Sequence, residues 1–146
     1  MPDALESVMN QTHLNWECIV VNDGSIDRTE EVALNWVRRD HRFIYLKKEN
    51  GGLSSARNMG LRIARGRYIQ FLDSDDVIHE EKFEIQLKLL KDHSENALSY
   101  CDYFTSTEED LTSPFPLRYV SPMFESQNYL HELIIRWETT LSIPIH

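Results

Sequence analysis

The chain has 146 residues, 41% hydrophobic and 27% charged, with Gly 5 and Pro 5, a mixture that suits one ordinary globular domain and excludes collagen-like, linker-like or wholly disordered chains. Lys and Arg total 15 against 24 Asp and Glu, a formal charge of −9, which excludes a broad duplex-binding surface, since that needs clustered cations to displace counterions. No apolar run approaches the roughly 18 to 20 residues that span a bilayer and no secretion signal opens the chain, so a cytoplasmic location is expected, with Cys18 and Cys101 as free thiols.

In chain order, Pro2 with the spaced apolar residues Leu5, Val8 and Met9 predicts an opening amphipathic helix. Trp16-Glu17-Cys18-Ile19-Val20-Val21 is a short, nearly continuous apolar run, the pattern of a parallel strand covered on both faces, and Asn22-Asp23-Gly24-Ser25 ends it as a turn. Val32, Trp36 and Val37 then recur at helical spacing from Asp27 to about Arg39, with Glu30 and Glu31 early and Arg38 and Arg39 late, as the helix dipole favours. The pattern repeats. Residues 43–46 predict a strand, Asn50-Gly51-Gly52 a loop, and Leu53, Ala56, Gly60, Ile63 and Ala64 one face of a helix closed by Gly66. Residues 68–72 predict a third strand, Asp73 to Asp76 a polar turn, and Phe83, Leu87 and Leu90 the face of a helix over about 80–91. Residues 97–104 are a further strand candidate. Beyond them the pattern weakens until a helical stretch over 129–137, and the last six residues resemble an incipient strand or loop.

Strands alternating with helices predict an α/β fold with a mostly parallel sheet flanked by helices, and ligands in such sheets bind at the carboxyl ends of the strands. Three polar clusters fall at those ends. In Asp73-Ser74-Asp75-Asp76, carboxylates this close repel one another unless a cation joins them, so the turn is a candidate site for Mg²⁺ or Mn²⁺ with an all-oxygen shell. The competing reading is an acidic turn that caps the next helix, near His79. Asn22-Asp23-Gly24-Ser25-x-Asp27 offers a carboxylate that can accept from a base imide N–H or a ribose hydroxyl, while Ser25 or Asp27 caps the following helix. In Asn50-Gly51-Gly52-Leu53-Ser54-Ser55-Ala56-Arg57-Asn58, glycines let the backbone approach a ligand and Arg57 offers a planar fork for phosphate. This loop lacks both the P-loop lysine and the dinucleotide-fingerprint spacing. Trp36 and Trp137 are read as packing residues, given their helical periodicity.

Taken in order, Glu6-Ser7-Val8-x-x-Gln11-Thr12, then Ile19-Val20-Val21-Asn22-Asp23-Gly24-Ser25-x-Asp27-x-Thr29, then Asn50-x-Gly52-x-Ser54-x-Ala56-Arg57-Asn58-x-Gly60, then Gly66-x-Tyr68-Ile69-x-Phe71-Leu72-Asp73-x-Asp75-Asp76 resemble the successive motifs of family 2 glycosyltransferases of the GT-A (nucleotide-diphospho-sugar transferase, Rossmann-like) fold. The resemblance covers about residues 3 to 104. It implies a donor-binding region over 1–104 and the start of an acceptor-side region over 105–146. It also implies inverting, metal-dependent transfer of a sugar from a nucleotide-diphosphate donor, with UDP the first expectation, to a hydroxyl of a saccharide or lipid-linked acceptor. By position, Asp23 matches the base contact, Asp73 and Asp75 the Asp-x-Asp motif, with Asp75 the better metal ligand and Asp73 and Ser74 beside the donor, and Arg57 the arginine near the diphosphate. Asn22 stands where the family more often has Asp.

The family's usual opening strand has no counterpart here, and none of Glu125, Glu132 and Glu138 matches its acceptor-side catalytic base, so the chain is expected to be a fragment lacking both. A missing strand would leave an apolar sheet edge open, with self-association there as a consequence. Peripheral membrane association of a parent protein is a further expectation. Two other readings compete. Asp73-x-Asp75-x-Val77-Ile78 also looks like the nucleophile motif of haloacid-dehalogenase-type phosphatases, which leaves the other two clusters unexplained; and the chain could be a non-catalytic nucleotide-sugar binding or interaction module.

Overall fold

The computed structural model of the chain describes residues 1–91, 98–99 and 101, and the backbone of 141–145. Helix α1 spans Pro2–Met9 and buries Ala4, Leu5 and Val8 on one stripe; its proline sits in the first turn, where a missing N–H removes no helical bond. Strand β1, Cys18–Asn22, is buried at every position but Val21, as its continuous apolar run predicts. There follow α2 (Thr29–Arg39), β2 (Phe43–Lys47), α3 (Leu53–Ile63), β3 (Tyr68–Leu72), α4 (Lys82–Leu90) and β4 (Leu141–Ile145). Among the described residues no helix is long and apolar enough to cross a membrane.

The sheet runs in the order β2-β1-β4-β3. β1 and β2 pair in parallel, from Cys18 against Phe43 to Asn22 against Lys47. β4 is antiparallel to both of its neighbours, β1 and β3, so β1, β2 and β3 all point the same way. The turns that leave their carboxyl ends therefore share one edge of the sheet. The core beneath is built on Phe43, whose ring lies 5.4 Å from the rings of both Trp16 and Trp36, with Ile19, Val20, Ala33, Leu72 and Phe83 also buried. Trp36 is thus a packing residue.

Two compact units divide the chain: Met1–Ile85 with Glu138–His146, and Gln86–Trp137. The whole sheet belongs to the first. Two expectations from the sequence need correction there. The edge expected to stand open beside β1 is filled by β4, formed from the last residues, which pairs along the full length of β3 and meets β1 at Ile19 opposite Ser142. Helix α3 also stops earlier than Gly66. It ends at Ile63, and Ala64 is already extended (φ −59°, ψ 132°). The cause is Glu17: its buried carboxylate accepts from the Arg65 backbone N–H at 2.7 Å and from the guanidinium at 2.7 and 3.0 Å, so the N–H that would extend the helix is bonded elsewhere. Of the strand expected over 97–104, Leu98, Ser99 and Cys101 are described and lie in no regular element. The remainder of that stretch, the helix expected over 129–137, Trp137 and the carboxylates Glu125, Glu132 and Glu138 lie outside the described residues.

Candidate functional site

The first turn leaves β1. Asn22 is buried; its Oδ1 accepts from the Ser25 N–H at 2.8 Å and its Nδ2 donates to the Tyr45 hydroxyl at 3.0 Å. An aspartate there could accept both bonds but would bury a charge, and the amide makes them without one. Gly24 follows with φ +81°, and a Cβ at that position would stand 2.9 Å from the Asn50 backbone nitrogen. Only glycine combines that backbone with that approach. Asp27 Oδ1 accepts from the Thr29 N–H at 3.0 Å, so Asp27 covers an otherwise orphaned donor at the start of α2.

The second turn leaves β2 and closes over the first. The Lys48 N–H donates to the Asn22 carbonyl at 3.0 Å, and Asn50 Nδ2 donates to the Asp23 carbonyl at 3.0 Å. Asp23 itself accepts from the Lys48 ammonium and from the Gly51 N–H, at 3.0 Å through Oδ1 and 3.2 Å through Oδ2. The Lys48 hydrogen bond, with those from the Gly51 and Gly52 backbone, holds the Asp23 carboxyl below its usual range against a smaller opposing desolvation. Gly52, at φ +80°, starts α3, and its carbonyl accepts from the Ser55 and Ala56 N–H groups. Lys48 was not among the residues singled out by sequence. Its one sequence signal is a position at the end of a strand, two residues before Asn50-Gly51.

One turn into α3 stands Arg57. Its Nε and Nη2 are shielded from solvent and have no hydrogen-bond partner among the described residues. Its guanidinium carbon lies 5.4 Å from the centre of the Phe71 ring, so the helix carries this cation to the end of β3, two residues before Asp73.

The third turn begins there. The Asp76 N–H donates to the Asp73 carbonyl at 3.2 Å, closing a tight turn with Ser74 and Asp75 exposed at its tip. Desolvation, and then the charge of Asp75, raise the Asp76 carboxyl above its usual range. The turn does not cap a helix. α4 starts only at Lys82, after a segment pinned by the Ile78 N–H donating to Ser7 Oγ at 3.2 Å, so the capping alternative loses its geometric basis. Among the described residues no group of three or more His, Cys, Asp or Glu side chains is arranged to enclose a metal ion. A cation here would draw on one or two protein carboxylates and take its remaining oxygens from elsewhere, which suits Mg²⁺ or Mn²⁺ beside phosphates.

Elsewhere, burial pushes the Cys18 thiol up to about 12, which makes it an inert packing residue.

Comparison with known proteins agrees with this arrangement. The chain is 45% identical over 91 residues to an uncharacterized glycosyltransferase of Rickettsia bellii, covering 62% of this chain and 13% of that one. It is 45% identical over 96 residues to the minor teichoic acid biosynthesis protein GgaB of Bacillus subtilis, covering 64% and 11%, and 35% identical over 130 residues to the uncharacterized glycosyltransferase EpsJ of the same organism, covering 88% and 35%. The chain therefore spans between 11% and 35% of the length of these relatives. The phosphatase reading is set aside, because the family the comparison shows is one of glycosyltransferases. A family model described as glycosyl transferase family 2 matches residues 1–140, a stretch that contains all three turns; the chain belongs to that family, and its helices and co-directional strands are an α/β sheet of the GT-A type.

Proposed function

We propose that this chain carries the donor site of a glycosyltransferase that moves a sugar from a nucleotide-diphosphate donor, UDP-linked in the first instance, to a hydroxyl of a saccharide or lipid-linked acceptor, with inversion at the anomeric carbon. The observation that supports it most directly is Arg57, a half-buried residue whose Nε and Nη2 are shielded from water and find no hydrogen-bond acceptor among the described residues. N–H donors shielded from water without an acceptor are costly, and a diphosphate matches both the charge and the planar fork of the guanidinium.

The other residues divide the work along the sheet edge. Asp23, whose carboxyl is held below its usual range, accepts from the base or the ribose. Asp75 and Asp73 would hold Mn²⁺ or Mg²⁺, with Ser74 beside the donor. Bound there, the ion would neutralise the charge that builds on the departing nucleotide. Arg57 acts on the same charge from α3, from a position fixed before the donor arrives, so little reorganisation accompanies the reaction. The acceptor hydroxyl approaches the anomeric carbon from the face opposite the leaving diphosphate. No residue of this chain is assigned as its base. On this reading residues 1–104 bind the donor, with β4 completing their sheet, and the acceptor side begins beyond residue 104. A cytoplasmic location is part of the same reading and rests on a chain with Cys 2, too few for a disulfide scaffold.

Calorimetric titration of UDP into the folded chain, first with Mn²⁺ and then with EDTA, tests it. Binding that disappears with EDTA is expected. Asp75→Ala should abolish the metal dependence while circular dichroism stays unchanged, and Arg57→Lys should weaken UDP by about tenfold, because a point charge cannot reproduce the fork. A folded chain that binds no UDP in Mn²⁺ would overturn the proposal.

A further inference from the structure

The donor-site reading gives Asp23 a ligand but leaves Lys48 without a role. We propose that Lys48 is a positioning residue for the nucleoside end of that site, holding the Asp23 carboxylate in the one orientation in which it can receive a base or ribose donor.

The side chains of Lys48 and Asp23 are only 18% and 20% exposed, unusual for a lysine, whose head is ordinarily left in water. The ammonium is drawn inward by two acceptors, the Asp23 carboxylate and the Glu49 carbonyl. Its seat is built. A Cβ on residue 51 would lie 2.8 Å from Lys48 Nζ and 2.9 Å from Ser55 Oγ, so glycine at 51 leaves the space that the ammonium fills. Gly24 makes the matching concession on the other turn, where its missing side chain lets the Asn50 backbone approach.

The bonds on Asp23 are unequal. Oδ1 takes the lysine and the shorter Gly51 bond, while Oδ2 takes the longer arm of the same Gly51 N–H. A carboxylate offers about four acceptor positions, and these contacts leave capacity for a ligand N–H or O–H. Without the ammonium the carboxylate would be free to turn about its terminal torsion, which is soft for aspartate. Paired with Lys48 it stays ionised, a strong acceptor held in one orientation.

This inference rests on the donor-site reading, and two probes separate their fates. Titration of UDP and of inorganic pyrophosphate, each with Mn²⁺, into the wild-type chain and Lys48→Met should show UDP weakened by about tenfold, the size of one charge-assisted hydrogen bond, with pyrophosphate unchanged. Lys48→Gln, which keeps an N–H for Asp23, should fall between the two and serves should Lys48→Met not fold. In an Asp23→Asn background, Lys48→Gln should cost nothing further, because the group it positions is gone. UDP affinity unchanged by both Lys48 substitutions would overturn the inference and leave the donor site standing. Equal losses for UDP and pyrophosphate would also overturn it, since they would show a general loss of structure. A wild-type chain that binds neither probe would overturn both.

Discussion

The Phe83 backbone N–H donates to Gln11 Oε1 at 3.1 Å, in a fully buried contact between residues 72 positions apart. The other end of the same amide, Nε2, donates to the Ser7 carbonyl at 3.0 Å and the His79 carbonyl at 2.7 Å. The Thr12 N–H adds a bond to the Glu80 carbonyl at 2.9 Å. One side chain thus ties the end of α1 to the first turn of α4 and to the segment that leads out of the acidic turn. The consequence for function is indirect: the loop that carries Ser74 and Asp75 is anchored at its exit by these bonds.

Both halves of the Gln11 amide are used, which separates two substitutions. Gln11→Leu leaves the Phe83 N–H buried and unsatisfied, and should destabilise the chain by about 2 kcal/mol. Gln11→Glu keeps an acceptor for Phe83 but turns an oxygen toward two carbonyl oxygens, so it should be at least as damaging at neutral pH and should recover partly in acid, where the carboxyl can donate. Urea unfolding midpoints for the two variants at two pH values check this; a Gln11→Glu chain as stable as wild type at pH 7 would contradict the arrangement.

Gly24 gives a second test. Its φ of +81° and the 2.9 Å approach of the Asn50 nitrogen are separate penalties for a side chain, one torsional and one steric. Gly24→Ala should therefore cost more than the roughly 1 kcal/mol of a left-handed residue alone, about 2 kcal/mol in all, and should weaken UDP through the displaced Asn50 and Gly51. The paired control is Gly52→Ala. Gly52 has φ +80° with ψ 169°, a combination open essentially to glycine alone, and nothing within 4 Å of its Cβ position, so the loss in Gly52→Ala is torsional only.

Much of this was legible beforehand because the signals were local. The apolar run before Asn22 buries as a strand, the helix periods around Trp36 and Phe83 place those residues inside, and each turn cluster sits at the end of its strand because glycine, Asp and Asn can adopt the turn. What stayed hidden is long-range. Nothing near Ala64 in the sequence says that α3 must stop there; the stop is made by Glu17, a residue 48 positions away from Arg65. Lys48 was overlooked for the same reason. A lysine after a strand looks like any solvated lysine until a second turn folds a carboxylate over it. The short final stretch Leu141–Ile145 carried a weak strand pattern, but only the tertiary fold places it between β1 and β3, antiparallel among strands that otherwise run together.

The bond that stops α3 makes the third prediction. The Glu17 side chain is 4% exposed and that of Arg65 is 73% exposed, so the pair is lopsided: water can solvate the guanidinium but not the carboxylate. Arg65→Met leaves a buried carboxylate without its guanidinium and should cost about 2 kcal/mol, less than a fully buried pair because the arginine is already wet. Adding Glu17→Gln should recover part of that loss, since the neutral amide still accepts from the residue 65 N–H while no charge stays buried. Thermal or urea unfolding of the single and double variants reads the coupling, and strictly additive losses would show that the pair is not what holds this junction.

The last prediction concerns acid. Asp40, in the turn between α2 and β2, accepts from the Arg42 N–H at 2.8 Å, from its Nε at 3.1 Å and from its Nη2 at 2.7 Å. The same guanidinium lies 3.8 Å from the centre of the Trp16 ring, so the ion pair is seated against the core. The Arg42 side-chain bonds, more than the backbone bond and the weaker charge of His41, hold the Asp40 carboxyl below its usual range despite partial desolvation. Its pKa in the folded chain is therefore lower than in the unfolded one, where it lies near ~3.9. Above that value the carboxyl is ionised in both states and the contribution is complete. As the pH falls further the unfolded chain takes up the proton first, and stability is lost until the folded carboxyl is protonated too. Asp40→Asn should accordingly lower stability at pH 7 by on the order of 1 kcal/mol and reduce the steepness of the decline below about pH 4. Urea midpoints of both chains between pH 7 and pH 3 give the comparison. The gap between the two curves should be constant from pH 7 to about pH 5 and close in acid; a gap that stays open to pH 3 would mean that Asp40 is not the titrating group.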